Sequence, residues 1–215
     1  MTDQLTRDVV INPGHAALLF IDVQNYAAHP DGGEFKDLTA ADRAEYDYYF
    51  DRLAKTALPN MQRLQAAGRL AGLEVMYAVI ENLTADGRDR SLDYKISGIN
   101  VAKGSWDAQV CDAIAPGADE IVLKKNSSSV FVSTNIDYLL RSLGIRQVIL
   151  CGVVTDQCIE SAVRDACDLG YLVTLVPDAC ATYSAERHEA SVRAIKGYCR
   201  QRMTDALVAE LAVRR

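Results

Sequence analysis

The stretch VILCGVVTDQCIESAV, residues 148–163, combines the patterns of a strand, a sharp turn and a helix start. Its first residues are apolar and mostly β-branched, which favours a buried strand. Gly152 permits a tight turn, and Thr155 with Asp156 forms a helix start signal. The stretch therefore predicts that the thiol of Cys158 stands where a strand passes into a helix.

The position of Cys158 favours a reactive thiol. If Thr155 is the N-cap, Cys158 is the third helical residue and lies near unpaired backbone N–H groups and the positive end of the helix dipole. These groups stabilise a thiolate, which is the nucleophilic form of cysteine. Free cysteines are also common as small buried side chains, so both interpretations stay open for this residue taken alone.

Composition and charge limit the class of protein. A chain of 215 residues, 49% of them hydrophobic, can build one large core, so we expect a single domain over 1–215. The net charge of −6, without a basic cluster, disfavours nucleic acid and anionic membrane surfaces as partners. There is no apolar run of about 20 residues and no signal-peptide pattern, so we expect a cytoplasmic protein. Six cysteines without a CxxC pair favour reduced thiols.

Apolar runs alternate with helical patterns along the chain. This alternation predicts an α/β fold in which helices cover both faces of a parallel sheet. Helical patterns occur within 39–68, where Pro59 starts a second piece or kinks the helix, and at 107–114, 134–143, 156–168, 185–195 and 204–211. The predicted strands are 16–21, 73–80, 120–124, 146–150, 171–176 and a short sixth at 198–203.

Polar residues follow two of these strands. Asp22 comes directly after the first strand and Lys125 leaves the third, at the carboxyl ends where open α/β sheets bind ligands. A lone aspartate in this place is more often a turn cap, and that alternative stays open here. The polar loop 81–101 can line a site or extend into solvent, and Tyr94 and Lys95 within it are weaker candidates for substrate contact.

Missing motifs narrow the chemistry. There is no GxGxxG, GxxxxGK[ST] or GxSxG sequence, which disfavours a dinucleotide site, a nucleoside triphosphate site and a serine nucleophile elbow. A thiol nucleophile usually pairs with a histidine, yet only three histidines occur. His15 precedes the first strand, His188 lies inside a late helix, and His29 is most simply a loop residue. Asp22 and Lys125 are the remaining candidates.

Three motifs together resemble the isochorismatase-like cysteine hydrolases. They are D-x-Q-N with an aromatic residue at 22–26, K-x-x-x-S-x-F with a threonine at 125–134, and G-V-x-T-x-x-C at 152–158. They follow the family's order and spacing within about residues 16–190. The resemblance implies a Rossmann-like three-layer α/β/α sandwich with a six-stranded parallel sheet in the order 3-2-1-4-5-6.

The resemblance also implies a catalytic triad of Asp22, Lys125 and Cys158. In this hypothesis Asp22 takes the thiol proton, Lys125 lowers the thiol pKa, and Cys158 attacks a carbonyl to give a thioester. The backbone N–H groups of Val154 and Cys158 form the oxyanion hole, and the bond between Val153 and Val154 is expected to be cis.

The implied activity is that of a cysteine-dependent amidohydrolase, which cleaves a C–N bond of a small amide or ureido substrate and releases ammonia. The stretch KGSWD, residues 103–107, resembles members that act on ureidoacrylate and biuret. The candidate substrate contacts are Gln24, Tyr26, Phe131 and Lys103.

No metal and no cofactor are expected. The nicotinamidases of this family hold a metal with an Asp-x-His motif, and no histidine occurs between His29 and His188 to form one. The family's usual dimers and tetramers imply a homo-oligomer.

Two alternative functions stay open: a vinyl-ether hydrolase of the isochorismatase type, for which Cys158 is dispensable, and a catalytically idle member that binds a small molecule.

Overall fold

The computed structural model describes residues 5–213, and its strands form one six-stranded parallel sheet in the order β3-β2-β1-β4-β5-β6. The predicted fold class is confirmed, since helices surround this sheet. The strands are β1 (Ala16–Ile21), β2 (Glu74–Ile80), β3 (Ile121–Lys125), β4 (Gln147–Val153), β5 (Leu172–Ala181) and β6 (Arg200–Gln201).

The α-helices connect the strands, except the last one, which follows β6. None of the helices within residues 5–213 is long and apolar enough to cross a membrane. A π-helical segment, Leu53–Ala57, joins α3 to α4, and a second one, Thr155–Ile159, leads into α8. The α-helices are α1 (Asn25–Ala28), α2 (Ala40–Ala44), α3 (Asp47–Arg52), α4 (Leu58–Ala71), α5 (Leu92–Ile96), α6 (Val130–Ser133), α7 (Ile136–Ser142), α8 (Glu160–Asp168), α9 (Ala185–Ala194) and α10 (Thr204–Ala212).

The central strands β1 and β4 are buried along their whole length. A strand covered by helices on both faces has a continuous apolar sequence, and this explains why the run at 16–21 predicts β1 to the residue. The predicted strand at 146–150 is too short, because β4 continues to Val153. Cys151 and Gly152 are weak strand signals, and the β4 to β5 register is irregular between Leu150 and Gly152.

The segment 39–68 folds much as its start signals predict. The Thr39 hydroxyl accepts a hydrogen bond from the Asp42 backbone N–H and caps α2. Pro59 lies in the first turn of α4, directly after the π-helical segment Leu53–Ala57 that joins this helix to α3. Gly72 ends α4 with a φ of 76°, a left-handed conformation that glycine adopts without strain.

The helix predicted at 107–114 is wrong. Two short 3-10 turns, Trp106–Ala108 and Asp112–Ile114, occupy this segment instead. The backbone carbonyls of Trp106 and Asp107 accept hydrogen bonds from the side chains of Asn25 and Gln24, so these groups bind the turn after β1.

The strand order reverses at β1, which lies between β2 and β4. Such a point opens a crevice at the carboxyl ends of the strands, where ligands bind in open α/β sheets. The backbones of β1 and β4 come very close here. Gly152 has a φ of 134°, and a Cβ atom built on it would lie 2.1 Å from the Ile21 carbonyl oxygen. Only glycine fits this approach of β4 to β1.

We therefore expect Gly152→Ala to lower the free energy of unfolding by at least about 3 kcal/mol, because it adds a backbone clash to a strained φ. Urea unfolding followed by circular dichroism measures the change. Gly197→Ala is the matched control, since no atom lies within 4 Å of the added methyl group. Equal urea midpoints for the two variants would contradict the packing argument.

Candidate active site

A buried ion pair joins the ends of β1 and β3. The Lys125 Nζ lies 2.9 Å from the Asp22 Oδ2, and the two side chains are 0% and 3% exposed. Asp22 has a φ of 56°, in the left-handed region that aspartate tolerates better than most residues. Its backbone N–H donates to the Ala78 carbonyl, which fixes the turn against β2.

Lys125 is surrounded by acceptors. Besides facing Asp22, its ammonium donates to the Tyr94 Oη and the Ser127 carbonyl, each at 2.9 Å, and it lies 3.5 Å from the Cys158 Sγ. Strand alternation turns the neighbouring Lys124 to the other face, where it pairs with Glu81. The three residues of the implied triad are therefore in contact through Lys125.

Cys158 lies in the π-helical segment that follows β4. The expected N-cap, Thr155, is wrong: the helical segment begins at Thr155 itself, and Val154 is the N-cap residue. The Thr155 hydroxyl pairs with the His188 Nδ1 at 2.9 Å, and its carbonyl accepts from the Ser191 hydroxyl. These contacts with α9 hold the turn that carries the thiol.

The pKa values of the three residues are coupled. Burial raises the pKa of Asp22 above its ordinary value, although the charge of Lys125 opposes this. Burial and the charge of Asp22 raise the pKa of the Cys158 thiol to about 12. Lys125 lowers that pKa, as the resemblance implies, but it is outweighed. Burial lowers the pKa of Lys125, yet its anionic neighbours raise it above the ordinary value overall. The resting site therefore holds an ammonium at Lys125 and a neutral thiol at Cys158.

A cavity of about 700 Å³ opens over this site. Asp22, Val154 and Cys158 line its inner end. The Val153–Val154 peptide bond is cis, and the Val154 N–H makes no hydrogen bond to any of residues 5–213. The polar side chains in the rest of the wall are Tyr26, Glu34, Asp93, Tyr94, Ser97, Ser128, Gln157, Ser161 and Tyr183.

Only one of the four candidate substrate-contact residues lines the cavity. Tyr26 lines the cavity, but Gln24, Phe131 and Lys103 do not. The Gln24 amide donates to the carbonyls of Ile80 and Asp107, each at 2.9 Å, so it fixes the turn after β1. Phe131 packs against the Tyr171 ring with centroids 6.0 Å apart, and Lys103 is exposed. For these three residues the placement disagrees with the expected substrate contact.

The KGSWD stretch positions the loop after α1. The Trp106 carbonyl accepts from the Asn25 amide at 2.9 Å, and the Asp107 Oδ1 accepts from the Gly33 N–H at 3.0 Å. The stretch thereby places Glu34, the next residue of the loop, at the cavity wall.

Glu34 and Tyr183 are cavity residues that the motifs do not indicate. The Tyr183 hydroxyl donates to the Glu34 Oε1. Burial raises the pKa of Glu34 to about 7, while the hydrogen bond from Tyr183 lowers it and the charge of Asp22 raises it. Neither residue lies in a motif, and no local pattern pairs positions so far apart in the chain.

Within residues 5–213, no group of three or more His, Cys, Asp or Glu side chains is arranged to hold a metal ion. The histidines have other surroundings. The His188 Nε2 lies 2.9 Å from an Arg52 nitrogen, and the His29 ring meets the Trp106 ring edge-on at 5.0 Å.

A parallel sheet in this order, with a polar cavity at the carboxyl ends of β1 and β4, defines a Rossmann-like α/β/α fold with its site at the switch point. Residues 16–206 match the isochorismatase domain. The chain belongs to the isochorismatase-like hydrolase family, as the three motifs indicate.

Relatives and solved structures agree with this assignment. Ureidoacrylate amidohydrolase RutB of Acinetobacter baylyi is 30% identical over 88% of this chain and 80% of its own length. A cysteine hydrolase from Pseudomonas syringae pv. phaseolicola has the same fold, with a TM-score of 0.84, 23% identity and full coverage of both chains. N-carbamoylsarcosine amidase from Thermoplasma acidophilum superposes with a TM-score of 0.69 and 25% identity, over 89% of this chain and 97% of that one.

The buried pair generates a stability prediction. Lys125→Met leaves the Asp22 charge buried without its partner, and we expect a loss of about 3–5 kcal/mol in the free energy of unfolding at about pH 8. The pKa of Asp22 is already raised, and removing Lys125 raises it further. The folded variant therefore binds a proton more readily than the unfolded chain, and the loss shrinks at about pH 5.

Urea unfolding of wild type and variant at both pH values measures this difference. Lys55→Met removes an exposed ion pair with Asp51 and serves as the control, with a nearly unchanged free energy of unfolding at both pH values. A loss for Lys125→Met that is the same at both pH values would contradict the account of Asp22.

Proposed function

We propose that the protein is a cysteine-dependent amidohydrolase that cleaves a C–N bond of a small amide or ureido substrate through a thioester and releases ammonia. The observation that carries the proposal is the contact of the Cys158 thiol with the Asp22–Lys125 pair at the floor of one cavity. A nucleophile, a proton acceptor and a fixed positive charge meet there, as acyl transfer requires.

The first step is attack on the substrate carbonyl. Asp22 accepts the proton of Cys158 as the Sγ–C bond forms, since the raised pKa of Asp22 makes it a stronger base than an ordinary aspartate. Lys125 remains charged and stabilises the sulfur as negative charge develops there. The high pKa of the free thiol means that proton transfer accompanies substrate attack.

Negative charge then passes to the carbonyl oxygen. The N–H groups of Val154 and Cys158 are the proposed donors to this oxygen, and the Val154 N–H has no other partner among residues 5–213. A preformed donor of this kind is worth about 3–4 kcal/mol in the transition state.

The tetrahedral intermediate collapses as the C–N bond breaks. Asp22 returns its proton to the departing nitrogen, which leaves as ammonia, and the acyl group remains on the Cys158 sulfur. Water then attacks the thioester and gives one proton to Asp22, the S–C bond breaks, and Asp22 returns that proton to the Cys158 sulfur to restore the thiol. The second proton of the water is released when the acid product ionises. The acyl product is a carboxylate from an amide or a carbamate from a ureido substrate.

The relatives support the choice of bond. The RutB proteins of Acinetobacter baylyi and Rhizobium rhizogenes, 30% and 27% identical, are amidohydrolases of ureidoacrylate by name, and the Thermoplasma acidophilum neighbour is an amidase of N-carbamoylsarcosine. Both substrates carry a ureido group. A ureido or amide carbonyl is accordingly the proposed target of Cys158.

Cys158→Ser tests the nucleophile. We expect kcat/KM for ammonia release from ureido and amide substrates to fall by at least about 10³-fold, because the weaker nucleophile no longer forms a thioester. Wild type quenched during turnover should carry the acyl group on Cys158 by mass spectrometry. Hydroxylamine should capture this group as a hydroxamate from an amide substrate or as a hydroxyurea from a ureido substrate.

Cys167→Ser is the matched control, because that thiol lies on α8 outside the cavity and its loss should leave kcat/KM unchanged. Unchanged ammonia release by Cys158→Ser would exclude the thioester route. Turnover of a vinyl ether without Cys158 would favour the isochorismatase-type reaction instead.

The pH profile tests the base. We expect kcat/KM to rise with pH along an acid limb whose midpoint lies above 3.8, the ordinary pKa of an aspartate, because Asp22 must be a carboxylate to accept the thiol proton. Glu34, with a pKa of about 7, can add a second limb, so the profile is also measured in Glu34→Gln. An acid limb that disappears in Glu34→Gln would contradict the role of Asp22.

A further inference from the structure

The cavity over Cys158 is acidic. Carboxyl groups of Asp22, Glu34 and Asp93 line it, and the lining residues that the structure describes include no arginine, lysine or histidine. Lys125 lies beneath this surface, is 0% exposed and is already paired with Asp22. A substrate carboxylate that enters the cavity therefore meets like charges without a free cation.

One carboxylate of the wall is held in a fixed place. The Glu34 Oε1 accepts from the Tyr183 hydroxyl. The Tyr183 ring packs against the rings of Tyr46 and Tyr49, with centroids 5.4 Å away in each case. The guanidinium of Arg187 lies over the same ring at 4.9 Å. Tyr183 is thus immobilised on three sides, and it fixes Glu34.

The backbone of Glu34 is fixed as well. Its N–H donates to the Tyr26 carbonyl at 3.3 Å, and the preceding Gly33 donates to the Asp107 carboxylate at 3.0 Å. A side chain on Gly33 would meet Asp107 and the Tyr26 ring within 3.0 Å, so the loop is packed tightly. Glu34 is therefore a preorganised group of the cavity wall.

Two carboxylate oxygens at the cavity have no hydrogen-bond donor in the described part of the chain. The Glu34 Oε2 forms no hydrogen bond or ion pair with residues 5–213, and the Asp22 Oδ1, buried at the cavity floor, also has no hydrogen-bond partner among them. Burial raises the pKa of Glu34, which reflects an incompletely compensated charge. A ligand with N–H donors or a positive charge would satisfy Glu34, whereas Asp22 faces the Cys158 thiol.

We propose that Glu34, positioned by Tyr183, selects the substrate by binding the N–H groups or positive charge at its non-reacting end. The enzyme then prefers neutral or cationic ureido and amide substrates to those that carry a carboxylate. This inference rests on the proposed function, and it separates the chain from its relatives named for carboxylate-bearing ureido compounds.

Three substituted ureas that differ in terminal charge test the preference. They are 2-aminoethylurea, a cation, 2-hydroxyethylurea, which is neutral, and ureidoacetate, an anion. Each offers the same ureido carbonyl to Cys158. We expect wild-type kcat/KM for ammonia release to be at least about 10-fold higher for the cation and the neutral compound than for the anion, mainly through KM.

Glu34→Gln keeps the shape of the side chain and removes its charge. We expect this variant to lose at least about 10-fold in kcat/KM for 2-aminoethylurea and to bring its ratio to ureidoacetate close to one. Tyr183→Phe, which frees the carboxylate but keeps the ring, should raise KM for 2-aminoethylurea. Glu45→Gln removes an exposed charge from the neighbouring segment and is the matched control, with the wild-type ratio retained.

Binding to Cys158→Ser, measured by calorimetry with the same three ureas, separates this inference from the proposed function. Tighter binding of the cation and the neutral compound than of ureidoacetate supports the role of Glu34 even if none of the ureas is hydrolysed. Preference of the wild type for ureidoacetate, an unchanged ratio in Glu34→Gln, or no binding of any of the three would each overturn the inference. Absence of ammonia release from every amide and urea tried would contradict the proposed function alone.

Discussion

The ion pair of Asp22 and Lys125 is the constraint on which the site depends. Removing both charges from water is costly, and the pair is stable only because each charge faces the other and Lys125 donates two further hydrogen bonds, to Tyr94 and Ser127. These contacts tie the carboxyl ends of β1 and β3 to the loop that contains α5. A substitution in the pair therefore alters the cavity floor as well as its charge.

The pair also affects the protonation state of Cys158, the proposed nucleophile. Burial and the negative charge of Asp22 raise the pKa of Cys158 more than the positive charge of Lys125 lowers it, so the thiol is neutral. This differs from a cysteine that a helix N-terminus alone would ionise. Carboxyl groups also occur in the cavity wall, at Glu34 and Asp93, whereas Lys125 does not line the cavity.

Sequence patterns predict the central part of this structure well. Buried parallel strands are continuous apolar runs, so β1 and the strand order follow from hydrophobicity and from the resemblance. Asp22 and Lys125 are candidates because they stand at the carboxyl ends of strands, and their grouping with Cys158 is implied by the family resemblance. The role of Gln24 was not predictable in this way, because its amide bonds to backbone groups distant in sequence. Glu34 likewise gains its place from Tyr183, a tertiary contact that no periodicity encodes.

The protonation state of Cys158 is directly measurable and reports the balance of charge around the Asp22–Lys125 pair. Thiolates absorb near 240 nm, so the difference in absorbance between wild type and Cys158→Ser, followed from about pH 5 to about pH 9, reports this thiol alone among the six cysteines. We expect no thiolate signal from Cys158 over this range, because burial and Asp22 raise its pKa to about 12. A thiolate signal with a midpoint below about pH 7 would contradict this expectation.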